Sequence, residues 1–96
     1  MNGLFDLTGF QRDMLYVLSS EGGLNGRAIQ EELEKEIGEI SRGRLYPNLD
    51  TLVTNGYVKK GQVDLRTNSY TITEYGLEQL KERRRWENKH VDFADL

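Results

Sequence analysis

The side chains best suited to bind a ligand lie on one face of a segment that begins at Ser41 and ends before Gly56. Ser41 is a favourable helix N-cap, and Gly56 suits the left-handed position that follows a helix end. The segment therefore predicts one helix. Its apolar stripe consists of Leu45, Leu49, Leu52 and Val53, and its opposite face consists of Gly43, Arg44, Pro47, Asp50, Thr51 and Thr54. Small residues allow close approach, and an arginine with hydroxyls near a helix N-terminus suits phosphates and the edges of bases.

The distribution of charge agrees with a polyanionic ligand, although the chain of 96 residues has a net charge of −3. Residues 1–39 hold eight acidic and three basic residues, whereas residues 40–91 hold ten basic and six acidic ones. Binding to a polyanion needs local positive potential rather than a positive total. Chance clustering of solvated charges is the alternative, and we favour binding because the basic half contains the helix that begins at Ser41.

The composition excludes several classes of site. The chain has no cysteine and a single histidine, His90. Disulfides, thiolate zinc sites and histidine-rich metal sites within one chain are therefore excluded. We find no nucleophile–base–acid arrangement and no phosphate loop, so we expect neither enzyme activity, nor a metal, nor a cofactor. No apolar run approaches the roughly 20 residues of a membrane span, and no signal-peptide pattern is present. A cytoplasmic protein without membrane contact is expected.

Two amphipathic helices are predicted before this segment. Thr8 and Gln11 form a capping-box pattern, which predicts a first helix at about 9–20. Asn25 is the expected N-cap of a second helix at about 26–37. The apolar stripe of the second helix consists of Ile29, Leu33 and Ile37. Its other face is acidic and is expected to be solvated, pointing away from nucleic acid. A helix, a tight turn and a helix make a helix-turn-helix unit.

Pro47 lies inside the third helix, where it removes one intrahelical hydrogen bond. Gly43, whose carbonyl would have accepted that bond, has no side chain to crowd the proline ring. We therefore expect an irregular or kinked first turn rather than a break. The preceding Tyr46 is then aimed sideways, where it packs beneath a following hairpin or contacts the DNA backbone.

The pattern after Gly56 changes to short β segments, with strands expected at 57–61 and 68–73. A hairpin directly behind a helix-turn-helix is a wing. The wing offers several donors to phosphates, which are Lys59, Lys60, Arg66, Thr67 and Asn68. Arg66 lies near the tip and is the best candidate for a minor-groove contact. Ordinary solvated charge explains Lys59 and Lys60 equally well.

A last helix is expected to begin after Thr73 and to continue at least to Lys89, with Leu77 and Leu80 in the core. Its far half is sparse in apolar residues, but three aromatic rings share one face at i, i+4 and i+7: Trp86, His90 and Phe93. A tryptophan left in water implies a partner. The same helix of a second chain is the expected partner, and a pocket for a small-molecule effector is the narrower hypothesis. The predicted dimer interface comprises Leu80, Trp86, His90, Val91 and Phe93.

Three motifs are similar to those of PadR-like winged-helix transcriptional regulators. They are RGRLYPNLDTL at 42–52, NGYV at 55–58 and YTITEYG at 70–76. The resemblance extends over about residues 8–90. Three further segments resemble the haloarchaeal branch of that family, which includes cellular regulators and repressors of viruses, and they lie at 6–13, 64–68 and 85–87.

The resemblance implies an α+β winged helix-turn-helix of three helices and a two-stranded wing in residues 1–75, followed by a C-terminal dimerisation helix and tail in residues 76–96. It implies a homodimeric repressor that binds a palindromic site in double-stranded DNA. Together with the residue pattern, it predicts DNA contacts from Arg42, Gly43, Arg44, Tyr46, Asn48, Thr51, Lys60, Arg66, Thr67 and Asn68. The C-terminal part is one short helix, so the larger effector region and the phenolic-acid response of long members are not transferred.

A haloarchaeal origin would imply molar salt, where the Debye length is about 3 Å and close contacts matter more than long-range attraction. One alternative to DNA binding stays open, because winged helices also serve as protein-interaction modules. That alternative predicts no retention on DNA and an acidic face around residues 31–39 that binds a basic partner.

Overall fold

The computed structural model describes residues 2–92 and Ala94. Within these residues the chain forms four helices and one small antiparallel sheet. In chain order they are α1 (Gly9–Ser20), β1 (Leu24–Asn25), α2 (Gly26–Ile37), α3 (Arg42–Thr54), β2 (Val58–Gln62), β3 (Asn68–Ile72) and α4 (Glu74–His90). The predicted α+β winged helix-turn-helix is confirmed, with α2 and α3 as the helix-turn-helix and β2, β3 and the loop at 63–67 as the wing. None of the described helices is long and apolar enough to cross a membrane.

Each helix begins at the polar residue that the sequence indicates as its N-cap. The side chains of these residues accept a hydrogen bond from the backbone N–H three positions ahead, and they are Thr8, Asn25, Ser41 and Thr73. Thr8 and Gln11 also form the reciprocal capping box. Because each cap satisfies a first-turn N–H that has no partner inside the helix, these four residues determine where the helices start.

The helix α3 continues through Pro47 as a single α-helix. In its first turn the N–H groups of Arg44 and Leu45 both donate to the carbonyl of Ser41, at 3.1 and 3.0 Å. Such shared bonds are common at helix ends. Pro47 is accommodated without a break. The missing side chain of Gly43 is not the reason, because the nearest atom to a Cβ added at Gly43 is Oγ of Ser41 at 4.0 Å and not the proline ring.

The sheet has three strands, in the order β1-β3-β2: β2 and β3 form the predicted two-stranded wing, and β1 is a strand that was not predicted. In the wing, Val58 pairs with Ile72 and the register continues to Gln62 opposite Asn68. The additional strand β1 pairs antiparallel with β3, with Leu24 opposite Tyr70. The turn between α1 and α2 is therefore attached to the wing by backbone hydrogen bonds.

The core lies between α1, α2, α3 and the sheet, and Leu80 of α4 joins it. The α3 stripe belongs to the core, because Leu45, Leu49 and Leu52 are all 0% exposed. Two residues predicted for the core are only partly covered. Ile37 is 48% exposed, because it is the last residue of α2, and Leu77 is 39% exposed. Leu77 lies outside the core because the buried side of α4 is a different one. That side consists of Gly76, Gln79 and Leu80.

The residues before α1 form an arm that lies across α4. Leu4 and Leu7 of this arm are buried. The N–H of Gly3 donates to Oε1 of Gln79 at 3.1 Å, and the ring of Phe5 meets Trp86 edge-on at 4.9 Å between centroids. The arm therefore ties the beginning of the chain to the C-terminal helix.

Candidate nucleic-acid interface

The face of α3 opposite its leucine stripe is open to solvent. Most of its residues are exposed, and they are Arg42, Gly43, Arg44, Pro47, Asp50 and Thr54. Thr51 on the same face is half-buried, and its hydroxyl donates to the carbonyl of Pro47 at 3.1 Å. Because no described part of the chain covers this face, a duplex can approach it closely.

A groove of about 390 Å³ lies beside this face, between the N-terminal ends of α2 and α3 and the wing. It is lined by Asn25, Gly26, Arg27, Arg42, Tyr46, Arg66, Thr67, Asn68 and Tyr70. Three of these residues are arginines, and none of the described residues that line the groove is acidic. Two helix N-termini, which carry partial positive charge, open at the same place. The groove is therefore suited to a negatively charged group such as a phosphate.

The wall of the groove beneath the wing is aromatic. The ring of Tyr46 packs against Gly26 so closely that a side chain at Gly26 would collide with it. The guanidinium carbon of Arg42 lies 5.2 Å from the centroid of the Tyr46 ring. Tyr70 is buried next to them, and burial raises the pKa of its phenol. The Tyr46 ring therefore packs against the start of α2, and it lines the groove together with Arg66, Thr67 and Asn68 of the wing.

The loop of the wing is held by one carboxylate. Oδ1 of Asp64 accepts hydrogen bonds from the backbone N–H groups of Arg66 and Thr67, both at 2.8 Å. These bonds, that from Arg66 first, lower the pKa of Asp64 below its usual value. Arg66 itself is exposed, and it reaches the groove from the side of the wing. Lys60 is exposed on β2, outside the residues that line the groove.

Two of the predicted contact residues on α3 are linked to α1. Asn48 is half-buried: its Oδ1 accepts from Nε2 of Gln11 at 2.9 Å, and its Nδ2 donates to the carbonyl of Arg44 at 2.7 Å. The guanidinium carbon of Arg44 lies 4.0 Å from the centroid of the Phe10 ring. An amide has two donor and two acceptor positions, so half of the Asn48 capacity is already used inside the chain.

The residues predicted for the dimer interface are found in two different environments. Leu80 is 5% exposed and belongs to the core of its own chain. Trp86, His90 and Val91 are exposed near the end of α4, where the Trp86 ring also contacts the ring of His90 at 4.9 Å. Phe93 lies outside the described residues. A depression of about 280 Å³ beside Trp86 is lined by Phe5, Glu82, Arg85, Trp86 and Lys89.

Arg27 is a part of the site that was not predicted from the sequence. Arg27 is strongly exposed, lines the groove and forms an ion pair with Glu31 at 3.1 Å. From the sequence, Arg27 is one of several charged residues on a helix face that is expected to be solvated. The available signal was its position in the first turn of α2, two residues after the Asn25 cap, since the partial positive charge of a helix N-terminus favours an anion there. Among the described residues no group of three His, Cys, Asp or Glu side chains could hold a metal ion.

Comparison with known proteins identifies related chains. The model of the transcriptional regulator PadR-like family matches residues 14–82. A complex structure of hsRosR-S1 is 44% identical with a TM-score of 0.86, over 94% of this chain and 81% of that chain. The structure of H. salinarum RosR grown from NaBr is 44% identical with a TM-score of 0.85, over 90% of this chain and 78% of that chain. Reduced AbfR bound to DNA is 28% identical with a TM-score of 0.70, over 82% of this chain and 55% of that chain. No curated protein gives a significant match.

Proposed function

This chain belongs to the PadR-like family of transcriptional regulators, and we propose that it acts by binding double-stranded DNA with α3 and the wing. The observation that carries the proposal is the groove with three arginines beside the open face of α3. The structural similarity to AbfR, which is bound to DNA in its own structure, supports the same assignment. RosR of H. salinarum, at 44% identity, shares the fold over 90% of this chain. We infer a binding function rather than an enzymatic one.

In this proposal α3 lies in the major groove and the wing lies over the neighbouring backbone. Arg44 on the open face is the side chain for a base edge, because a guanidinium can make two parallel hydrogen bonds to guanine. The groove that contains Arg27, Arg42 and Arg66 takes the phosphates, which fix the orientation of the protein on the duplex. Thr67, Asn68 and Lys60 would add contacts from the wing.

We further propose that the protein binds as a homodimer and represses transcription at a palindromic site. Residues 1–75 would form the DNA-binding domain, and residues 76–96 would form the dimerisation helix and tail. The support is the exposed aromatic surface of Trp86, which is 38% exposed on a helix end that the rest of the chain covers only in part. If the two recognition helices read one face of the duplex, the half-sites lie about 34 Å apart.

A small-molecule effector is proposed at the same aromatic surface. The depression beside Phe5 and Trp86 has a volume of about 280 Å³ and would be enlarged by a second subunit. A ligand there would act on DNA binding through the geometry of the dimer. The competing function, a protein-interaction module, would use the acidic exposed side of α2 and would leave the arginine groove without a role.

The deciding experiment is selection of bound fragments from random duplex DNA, at moderate and at molar salt. We expect an enriched palindrome and a Kd for it much lower than for random duplex. Arg44→Ala should weaken binding to the selected site by about 1–3 kcal/mol, as expected for one lost bidentate base contact. Lys81→Ala on α4 is the control, because Lys81 is exposed and lines neither the groove nor the depression beside Trp86, and it should leave the ratio of the two Kd values unchanged. Absence of any enriched sequence would contradict the proposal.

A further inference from the structure

The side chain of Arg44 is held against the first helix rather than left free in solvent. Its guanidinium carbon lies 4.0 Å from the centroid of the Phe10 ring, nearer than the 5.2 Å that separates Arg42 from Tyr46. Within residues 2–92 and Ala94, its guanidinium forms no hydrogen bond or ion pair. A guanidinium that lies over an aromatic ring and forms no other bond keeps its N–H groups available for a ligand.

The main chain of Arg44 is tied to the same helix by a second route. Gln11 is a buried polar residue, 9% exposed. Its Oε1 accepts from the N–H of Thr8 at 3.1 Å, and its Nε2 donates to Oδ1 of Asn48 at 2.9 Å. Asn48 in turn donates to the carbonyl of Arg44 at 2.7 Å. The capping box of α1 is thus continuous, through two amides, with the backbone that carries Arg44.

We propose that Phe10 is a positioning residue for sequence recognition, which sets the plane of the Arg44 guanidinium before DNA arrives. The inference rests on the proposed function. Contact with a base edge through two hydrogen bonds requires the guanidinium to lie close to the plane of the base. A side chain that is already ordered loses less conformational freedom on binding. A phosphate accepts from many directions, so the same ordering matters less for random DNA.

The test is a double-mutant cycle measured on the selected duplex and on random duplex. A cation–π contact at an exposed site corresponds to about a two- to fivefold change in an equilibrium constant. We therefore expect Phe10→Leu to lower the selectivity, which is the ratio of the two Kd values, two- to fivefold. Phe10→Tyr keeps the ring and should keep the wild-type selectivity. In an Arg44→Ala background, Phe10→Leu should change the selectivity no further.

Stability is followed by thermal unfolding for every variant, and Phe10→Met replaces Phe10→Leu if the latter does not fold. If Phe10 has a purely structural role, Phe10→Leu should weaken binding to both duplexes equally, or should still lower the selectivity in the Arg44→Ala background. Either result overturns the inference. Loss of selectivity in Phe10→Tyr overturns it as well. These outcomes differ from failure of the proposed function, in which the wild-type protein itself selects no duplex.

Discussion

Gly76 is predicted to be required for the packing of α4. Alanine usually stabilises a helix relative to glycine, but Gly76→Ala is expected to destabilise this protein. It is the third residue of α4, at the point where the helix crosses the chain that enters β2. A Cβ built there would collide with the carbonyl oxygen of Tyr57 and would lie 2.9 Å from Cγ1 of Ile72. The Tyr57 carbonyl has little freedom to move, because it accepts from the N–H of Thr73 at 3.0 Å.

The expected magnitude follows from two opposing effects. Helix propensity alone would make Gly76→Ala stabilising by about 0.5–1 kcal/mol. Extra volume in a packed contact costs about 1–3 kcal/mol, and a displaced carbonyl that loses a hydrogen bond costs about 1 kcal/mol more. The sum is a net loss of roughly 1–3 kcal/mol in the free energy of unfolding. For a domain of this size that corresponds to a fall in Tm of about 4–8 °C per kcal/mol.

The measurement is thermal and urea unfolding followed by circular dichroism, without DNA. Gly43→Ala is the matched control, because Gly43 is also in the first turn of a helix, and the nearest atom to an added Cβ is Oγ of Ser41 at 4.0 Å. The control should be neutral or slightly stabilising. If Gly76→Ala raised the Tm as much as Gly43→Ala, the reasoning from close packing would be refuted.

Three further predictions concern the core, the dimer and the wing. Leu49→Ala should lower the free energy of unfolding by about 2–5 kcal/mol, because Leu49 is 0% exposed. The control, Leu65→Ala, should change it by less than about 0.5 kcal/mol, because Leu65 is 95% exposed. Similar losses in the two variants would contradict the burial argument. Trp86→Ala should raise the dissociation constant of the proposed dimer in sedimentation, and a wild-type protein that is monomeric at micromolar concentration would rule that dimer out. The hydrogen bonds to Asp64 in the wing loop should be intact at any pH above 3.8, the usual carboxyl pKa. They should be lost only as the pH falls through the lowered pKa of Asp64 in the folded protein. In NMR, the amide shift of Arg66 should then titrate with a midpoint below 3.8, and a midpoint at or above 3.8 would contradict it.

The helices could be predicted nearly to the residue because their ends depend on local chemistry. Thr8, Asn25, Ser41 and Thr73 each satisfy a donor only three positions away, so the information lies within one turn of the chain. The strand β1 could not be predicted in this way. It consists of two residues, and only its pairing with β3, more than 40 positions later, makes it a strand.

The candidate site was predictable in outline but not in its connections. The open face of α3 follows from helical periodicity, which the leucine stripe makes unambiguous. The role of Asn48 depends on Gln11, which is 37 positions away in the chain, and the stack of Arg44 on Phe10 depends on how α1 and α3 pack. Arg27 enters the groove for the same reason, since the wing that faces it comes from a distant segment.

The strand order of the sheet has a consequence for solubility. β3 is paired on both sides, and within the described residues the outer edge of β2 has no strand beside it. An unpaired edge is a site where a second sheet can add, and lysines on such a strand oppose that addition. Lys59 and Lys60 are both exposed on β2. Replacing both lysines by neutral residues would therefore promote aggregation, whether or not either lysine contacts a ligand. Poor yield or precipitation of such a variant would then reflect the unpaired edge of β2 rather than a loss of ligand binding.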